Sequence, residues 1–525
     1  MLQHQALHYP TESQWYDALS ELSSQLSDRD LYCALWVKRC SHAESRRALV
    51  LEQYGAWHAA QAAYVDLMHR WQTGDHALIN TPRAELTMWE SGLVRAAKSL
   101  NQWELLTEFA KSMPNAQPTL LMECLWKIGD WDRLKDLFAK YSMPEQPRIK
   151  MLQTYAFIHD GKLQEAEAKC NEGIQAALGQ WVSLPSLDVG SHTPLLQVFQ
   201  QFQELQESAQ MLLEISNAQR SSGPPELSSI LTTWRERLPN RWEDLPAWND
   251  LVSWRNHMFS HINNVLTRVA TDNPAVTSAA MQELIWTNTR FAHVARRQSL
   301  PEACINIISK IQSVVSGVPS ADIADNFAKM REQSRACLQL PALTSQGLEL
   351  LHRTDLKLLT PAQKSDVFLT KAELVLAKQP DGGSESEEVG SHLANSVFLH
   401  SAQPKAWLLW AVWLDGKFRD TGESTWAERA LACYLQAALH RREKAASMLC
   451  RALSLMRDAP SLECRTALAA IFGEHCDAVP LWEWLPWLPQ LLDALPAVEG
   501  PQVQHLLCRI GVAYPQALYY PLRRY

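Results

Sequence analysis

The chain has 525 residues, 46% of them hydrophobic and 20% charged, and these proportions exclude a wholly disordered protein. Its 49 basic and 57 acidic side chains give a net charge of −8, which argues against a protein that coats nucleic acid. Tryptophan is frequent, at 21 residues, and glycine is scarce, at 19, a balance that suits packed helices better than turn-rich β structure.

Nothing in the sequence is typical of a secreted or membrane-spanning protein. The N-terminal sequence MLQHQALHYPTESQW lacks the apolar core of a signal peptide. The longest apolar run, Ala406–Leu414, has nine residues, about half of what a membrane span needs. The 11 cysteines are odd in number and contain no C-x-x-C pair. We therefore expect a soluble intracellular protein with reduced, mostly buried thiols.

One turn pattern occurs four times in the first third of the chain, in EQYGAWHAAQAAY, LNQWELLTEFA, IGDWDRLKDLF and HDGKLQEAEAKC. The residues that open the helix after each turn are Trp57, Trp103, Trp131 and Leu163, which are 46, 28 and 32 residues apart. These steps scatter around the 34-residue period of tetratricopeptide-like repeats. The pattern predicts stacked helical hairpins, because a single hairpin cannot bury its own apolar face.

The hairpin around residue 129 shows the pattern most clearly. The apolar stripe before the turn has helical spacing and consists of Leu121, Cys124, Leu125 and Ile128. Gly129 then supplies the left-handed residue that ends a helix. The stripe after the turn consists of Trp131, Leu134, Leu137 and Phe138.

The second half of the chain has the same helical spacing. The segment Met281–Gln298 carries Leu284, Ile285, Phe291, Val294 and Ala295 on one side. Two later stripes consist of Tyr434, Leu435, Ala438 and Leu439, and of Met448, Leu449, Ala452, Leu453 and Met456. No run alternates like a strand. The predicted fold class is therefore all-α, an α-solenoid of irregular tetratricopeptide/HEAT-like helical hairpins.

Three segments read as loops: Ser221–Pro225, Val315–Ala321, and the acidic, glycine- and serine-rich Asp381–Glu388. The chain stops at PLRRY without a polar capping unit. A solenoid end normally needs such a unit, so we expect the sequence to be a fragment of something longer.

The search for chemistry finds neither a phosphate-binding glycine loop nor a nucleophile elbow nor a kinase catalytic loop. His257 and His261, like His4 and His8, are four residues apart but lie outside any H-E-x-x-H pattern. Cys476 lies between His475 and Asp477 without a second cysteine pair. We interpret all of these as coincidences that are expected in a chain with 17 histidines. The sequence predicts no catalytic, cofactor-binding or metal-binding residue.

Basic pairs and tryptophan groups are the remaining candidates for binding. The basic groups are Arg46–Arg47, Arg296–Arg297, Arg441–Arg442 with Lys444, and Arg523–Arg524. We interpret them as solvated helix faces, and leave open an acidic partner or a polyphosphate. The tryptophan groups are Trp407, Trp410 and Trp413, and Trp482, Trp484 and Trp487. Core packing is the favoured interpretation, and anchoring of a partner protein is the alternative.

The end of the chain contains a slightly compressed W-x-x-L-P-Q-L-L element at Trp487–Leu492 and a G-x-x-x-P-Q-A-x-x-Y-P-L element at Gly511–Leu522. These two elements resemble the close of the FAT domain in phosphatidylinositol-3-kinase-related kinases. The segments LNQWELLTEFA, SHTPLLQVFQQFQELQESAQ, TTWRERLPNRWEDLPAWNDLVSWRNHMF and VARRQSLPEACINIISKI are similar to one group of these proteins in particular, the TRRAP family. The similarity is collinear from about residue 15 to the end.

The resemblance implies a FAT domain divided into 1–225 and 226–479, both tetratricopeptide-like, and 480–525, the start of a HEAT-like part. It implies a noncatalytic pseudokinase scaffold in nuclear histone acetyltransferase coactivators such as SAGA. Its partners would be the protein subunits of those complexes and, indirectly, transcription activators, with no nucleic acid, membrane, cofactor or small-molecule substrate. The family's long HEAT solenoid and kinase-like domain have no counterpart in these 525 residues.

Two alternatives stay open. The first is that the chain is the FAT region of an active Ser/Thr kinase whose catalytic domain lies beyond residue 525. The second is that it is a generic tetratricopeptide adaptor that holds a peptide in its groove. The adaptor requires inward-facing Asn, Lys and Arg residues that clamp the peptide, and no such ladder is visible in the sequence.

Overall fold

The fold of the chain is known from a computed structural model that describes residues 13–26, 28–112, 118–141, 145–186, 189–218, 227–269, 274–315, 323–378, 387–440 and 445–524. These ranges contain 26 α-helices, four short 3₁₀ segments and no strand. The predicted all-α fold of helical hairpins is therefore confirmed. The chain divides into two compact units, Met1–Asp325 and Asn326–Tyr525.

The first unit is an array of helices in which most consecutive helices pack on one another. Its helices are α1 Ser13–Gln25, α2 Arg29–Arg39, α3 Ala43–Gln53, α4 Trp57–Gln72, α5 Arg83–Ser99, α6 Trp103–Ser112, α7 Pro118–Ile128, α8 Trp131–Lys140, α9 Pro147–His159, α10 Leu163–Ser183, α11 Val189–Ala218, α12 Leu227–Glu236, α13 Leu245–Val269, α14 Pro274–Arg297 and α15 Pro301–Val315.

The second unit begins inside α16 and continues the pairing of neighbouring helices. Its helices are α16 Ile323–Gln339, α17 Thr344–His352, α18 Pro361–Lys378, α19 Glu387–Leu399, α20 Pro404–Thr421, α21 Ser424–His440, α22 Ala445–Arg457, α23 Leu462–His475, α24 Leu488–Asp493, α25 Gly500–Ala513 and α26 Pro515–Arg524. The 3₁₀ segments are Pro341–Leu343, Leu356–Leu358, Cys476–Ala478 and Leu481–Trp487.

The four predicted turns are all present, and each following helix begins at the predicted residue. The residue two positions before that start has a positive φ in every case, 71° at Gly55, 59° at Asn101, 84° at Gly129 and 72° at Gly161. At the third turn, the backbone N–H groups of Gly129 and Asp130 both donate to the Leu125 carbonyl, at 2.9 and 3.0 Å. This arrangement satisfies the last carbonyls of α7 and needs a left-handed residue, which glycine and asparagine adopt most readily.

Helix α7 differs from its predicted single apolar stripe. Cys124 and Leu125 are buried as expected, but Ile128 is 45% exposed. Met122 and Trp126, which lie outside the stripe, are fully buried. The reason is that α7 packs on α6 and α8 and also meets α13, which arrives from far along the sequence.

The second unit buries a large apolar core made by α20–α26. Tyr434, Leu435 and Ala438 of α21 and Met448 and Leu449 of α22 belong to it, as their predicted stripes require. Alanine is frequent at the contact surface, which lets α20 and α21 approach closely. This core forms between helices that are neighbours in sequence.

The predicted loops fall mostly outside the described residues. Residues 221–225, 316–322 and 381–386 are not among them. Val315 is the last residue of α15, and Glu387 and Glu388 open α19, so both loop boundaries move by one or two residues. The proposed FAT subdivision at residues 225/226 and 479/480 stays a prediction.

Candidate functional site

Helix α13 is the element around which the polar residues of the first unit gather. It contacts α5, α7, α9 and α11, which are alternate members of the helical array and therefore share one face of it. Its apolar residues are buried on more than one side, among them Trp248, Leu251, Trp254, Phe259 and Ile262. A helix that is buried on several sides must also find partners for its polar side chains.

Asp250 is the centre of the first polar contact between α13 and the array. Its carboxylate lies 2.6 Å from Arg148 Nη1 of α9 and 2.6 Å from Lys127 Nζ of α7. Arg148 also reaches Glu123 at 3.2 Å, and Glu123 pairs with Lys98 of α5 at 2.8 Å. Five charged side chains thus join α5, α7, α9 and α13 in one chain of ion pairs.

Burial and attraction oppose each other in this network. Burial by itself would raise the pKa of Asp250, but attraction by Arg148 and Lys127 outweighs it and lowers that pKa. For Lys127 the burial is stronger than the attraction, so its pKa falls to about 8 even though Asp250 favours the charged form. The ammonium group also lies 4.3 Å from the ring centroid of Trp126, which stabilises the cation.

A second ion pair joins α13 to α11 in the interior. Arg255 donates to both carboxylate oxygens of Glu204, at 3.0 and 2.7 Å. The two side chains are 1% and 0% exposed. Such a pair fixes a relative position well, since removal of either partner leaves a buried charge without compensation.

His257, one member of the predicted His257–His261 pair, has a structural role. Its Nε2 lies 3.0 Å from the Trp126 carbonyl, and its ring meets Trp131 edge-on at 5.1 Å. Burial lowers its pKa to about 4, so the ring is neutral and donates from Nε2. Among the described residues no group of three or more His, Cys, Asp or Glu side chains could hold a metal ion. His4 and His8 lie outside the described residues.

Cys476 is buried, and its surroundings disfavour the thiolate form. Burial raises its pKa to about 12, and the nearby Asp477 carboxylate, 3.8 Å from Sγ, acts in the same direction. Asp477 itself pairs with Arg509 and lies 3.4 Å from His505. All 11 cysteines are free, and only Cys450 and Cys508 are exposed.

The basic pairs differ from one another. Arg46 and Arg47 are exposed, as predicted, and so is Arg297. Arg296 is 8% exposed and lies 3.3 Å from His293, so the prediction of a solvated face is wrong for that residue. Its position on α14 faces the core because α14 packs against both α13 and α15. The group at 441–444 lies outside the described residues.

The tryptophans pack mainly in the interior. Trp407 and Trp410 stack at 6.0 Å, and Trp413 meets Trp426 edge-on at 6.3 Å, all against the apolar core. Trp484 is fully buried, whereas Trp482 is 45% exposed. Trp242, which lies between α12 and α13, is 76% exposed. It was not identified from the sequence as a candidate for binding.

The residues that organise α13 were not identified from the sequence. Arg148 and Asp250 are 102 positions apart, and Glu204 and Arg255 are 51 apart. The one local signal was a charged residue placed directly beside buried apolar residues, as in Trp254–Arg255 and Glu204–Leu205.

No helix in the described part of the chain is long and apolar enough to cross a membrane.

Comparisons with known proteins agree on one family. The FAT domain model matches residues 118–454. Subunit TRA1 of the SAGA complex/NuA4 acetyltransferase complex of Saccharomyces cerevisiae is 34% identical over 97% of this chain. The human transformation/transcription domain-associated protein is 30% identical over 98% of the chain. The chain spans only 14% of the length of each of these two relatives.

A solved structure shares the fold. The open conformation of CtTel1 superposes with a TM-score of 0.55 over 90% of this chain and 19% of that chain. The two sequences are 14% identical, so this likeness concerns the helical architecture alone.

Proposed function

Since this chain belongs to the FAT domain family, and within it to the TRRAP type, we propose that it is a noncatalytic scaffold segment of a transcription coactivator subunit. The assembly would be a histone acetyltransferase complex of the SAGA kind. The observation that carries the proposal is the 34% identity, over 97% of this chain, with a yeast protein named as a subunit of such complexes.

The internal chemistry of both units supports a scaffold. The groups that would otherwise suggest catalysis are used in packing: Asp250 and Lys127 in an ion pair, His257 as a neutral donor to a carbonyl, and Cys476 as a buried thiol. A catalytic group must instead be able to reach a substrate and change its protonation state.

The position of α13 bears on the peptide-adaptor alternative. Alternate helices of a tetratricopeptide-like array form the face on which a bound peptide would lie. Here α13 of the same chain packs on that face, through Asp250, Arg255 and His257. A long peptide groove along α5–α11 is therefore filled from within, and partners would bind beside α13 or elsewhere on the unit.

The proposed partners are other protein subunits of the coactivator and, through them, transcription activators, and the proposed location is the nucleus. A net charge of −8 supports contacts with proteins over direct contacts with nucleic acid.

Co-purification tests the proposal. The complete protein that contains this chain, tagged at its own locus, should be recovered together with an acetyltransferase catalytic subunit and should acetylate histones. An untagged strain is the control. Recovery of the intact tagged protein without any acetyltransferase subunit would contradict the proposal.

A further inference from the structure

A solvent-open cleft lies beside α13, at the turn between α5 and α6. Its volume is about 220 Å³. The walls come from that turn and from α6, α7, α13, α14 and α15. Four asparagines and two lysines contribute to them, namely Asn101, Asn249, Asn256, Asn288, Lys127 and Lys310. These are the residue types that a peptide-holding site requires.

Asn101 distinguishes this turn from the other three. Gly55, Gly129 and Gly161 fill the same left-handed position without a side chain, whereas Asn101 brings a carboxamide into the cleft. The residue is 5% exposed, and its Oδ1 accepts hydrogen bonds from Trp103 Nε1 at 2.8 Å and from Asn249 Nδ2 at 2.5 Å. These two donors fix the orientation of the amide.

The side-chain NH₂ group of Asn101 consequently points away from both donors. None of the described residues accepts a hydrogen bond from it. Asn101 Nδ2 is not a fully buried atom, so it opens onto the cleft, where the acceptor of a ligand can reach it.

The charges around the cleft favour a negative ligand. Its lining contains two lysines, Lys127 and Lys310, and no carboxylate, although each lysine pairs with a carboxylate outside the lining, Asp250 and Glu104 respectively. Lys127 is held inside by Asp250, but the Lys310–Glu104 pair is 54% and 66% exposed. Exposed pairs of this kind are weak, so a ligand carboxylate can compete with Glu104 for Lys310 at little cost.

Part of the cleft wall is apolar. Trp103, Leu284, Phe291, Ile307 and Ile311 line it. An inorganic anion would leave this wall in contact with water, whereas a peptide that ends in an aliphatic residue covers it and presents a carboxylate to the donors.

We propose that this cleft binds the C-terminal carboxylate of a partner protein, with Asn101 and Lys310 as donors to the carboxylate and the apolar wall holding the last side chain. The inference deepens the proposed scaffold function and rests on it, because it names the chemistry of one protein contact. The ligand is a short extended C-terminal segment with an aliphatic last residue.

Calorimetric titration of the 525-residue chain tests the site with defined probes. N-acetyl-Ala-Leu with a free carboxylate should bind with a Kd on the order of 1 mM, which is typical of a small ligand with few contacts. The same peptide with a C-terminal carboxamide should bind at least about tenfold more weakly, since it adds two donors where the site supplies donors. Equal affinity of the two peptides, or no heat from either, would overturn the inference.

Two variants locate the binding. Lys310→Gln should weaken the acid peptide about tenfold, while Lys111→Gln, which breaks a comparable exposed pair with Glu108 outside the cleft, should leave it unchanged. Asn101→Gly keeps a residue that accepts positive φ and removes the carboxamide, so it should also abolish binding. A thermal melt of each variant checks the fold, and full affinity in a folded Lys310→Gln variant would contradict the site.

Sodium acetate is the remaining probe. If acetate binds as tightly as the peptide acid, the site holds an adventitious ion only and the peptide inference is wrong. These outcomes are separate from complex membership: co-purification without acetyltransferase subunits would refute the proposed function even if the peptide acid bound the cleft.

Discussion

The two units bury their cores by different means. In the second unit, Leu431, Leu449 and Leu468 belong to a continuous apolar core built from helices that follow one another in sequence. In the first unit, α13 is joined to distant helices through buried charges, as between Arg255 and Glu204.

The difference concerns specificity. Apolar contacts are non-directional, so neighbouring hairpins can stack wherever their stripes meet. A buried ion pair adds little net stability but penalises any arrangement that leaves one charge alone. The second unit also has buried carboxylates, but Asp415 and Glu499 pair with Arg451 and Arg465, which are 36 and 34 residues away. We infer that the pairs of Asp250 and Arg255 select where α13 lies among helices that are more distant in sequence.

Substitution of one member of the fully buried pair should have the largest effect. Arg255→Met leaves Glu204 charged and buried, and should lower the free energy of unfolding of the first unit by about 3–5 kcal/mol. The double variant Arg255→Met with Glu204→Leu removes both charges and should regain most of that loss. Urea unfolding measures each value, and a double variant as unstable as the single one would show that the pair stabilises in its own right.

In the second unit, the corresponding test is to shorten a buried apolar side chain and leave a cavity in the core. Leu449 is fully buried in the apolar core, so Leu449→Ala should cost about 3 kcal/mol. Leu462 is 71% exposed on α23, and Leu462→Ala should change stability by less than about 0.5 kcal/mol. The same urea titration applies, and equal effects of the two substitutions would be incompatible with this core.

The first unit should also lose stability in weak acid. The pKa of His257 is about 4 in the folded chain, against an ordinary value of 6.5, so the unfolded chain binds the proton more tightly. The stability contributed by the neutral ring is complete above pH 6.5 and is lost as pH falls towards 4, by up to about 3 kcal/mol. His257→Gln, which keeps an amide donor near the Trp126 carbonyl, should reduce the slope of stability against pH in that window. An unchanged slope would contradict the assignment.

Two glycines on one helix should respond with opposite signs. A Cβ added at Gly173 of α10 would lie 2.3 Å from Cζ of Phe202, so Gly173→Ala should destabilise by about 1–3 kcal/mol. At Gly179, on the same helix, no atom lies within 4 Å of an added Cβ, and Gly179→Ala should stabilise by about 0.5–1 kcal/mol. Melting temperatures of the two variants suffice, and a shift of the same sign in both would refute this packing of α10 on α11.

Local features of the fold could be predicted from the sequence. The starts of α4, α6, α8 and α10 and the left-handed residue at Gly129 follow from turn chemistry and from the spacing of apolar residues, which act over a few positions. The role of Asp250 could not, because it depends on Arg148 and Lys127, which lie on other helices. The second buried face of α7 was missed for the same reason. The cleft residues were also missed, because Asn101 and Asn249 are 148 positions apart.

Hydrogen exchange of backbone amides, in the parent chain and in Arg255→Met, tests the central claim most directly. If the buried charges on α13 fix its place among these distant helices, the substitution should speed exchange in α13 and in α5, α7, α9 and α11 together, and leave α20–α23 unchanged. Faster exchange confined to α13 alone, with α7 and α9 as protected as before, would contradict the claim.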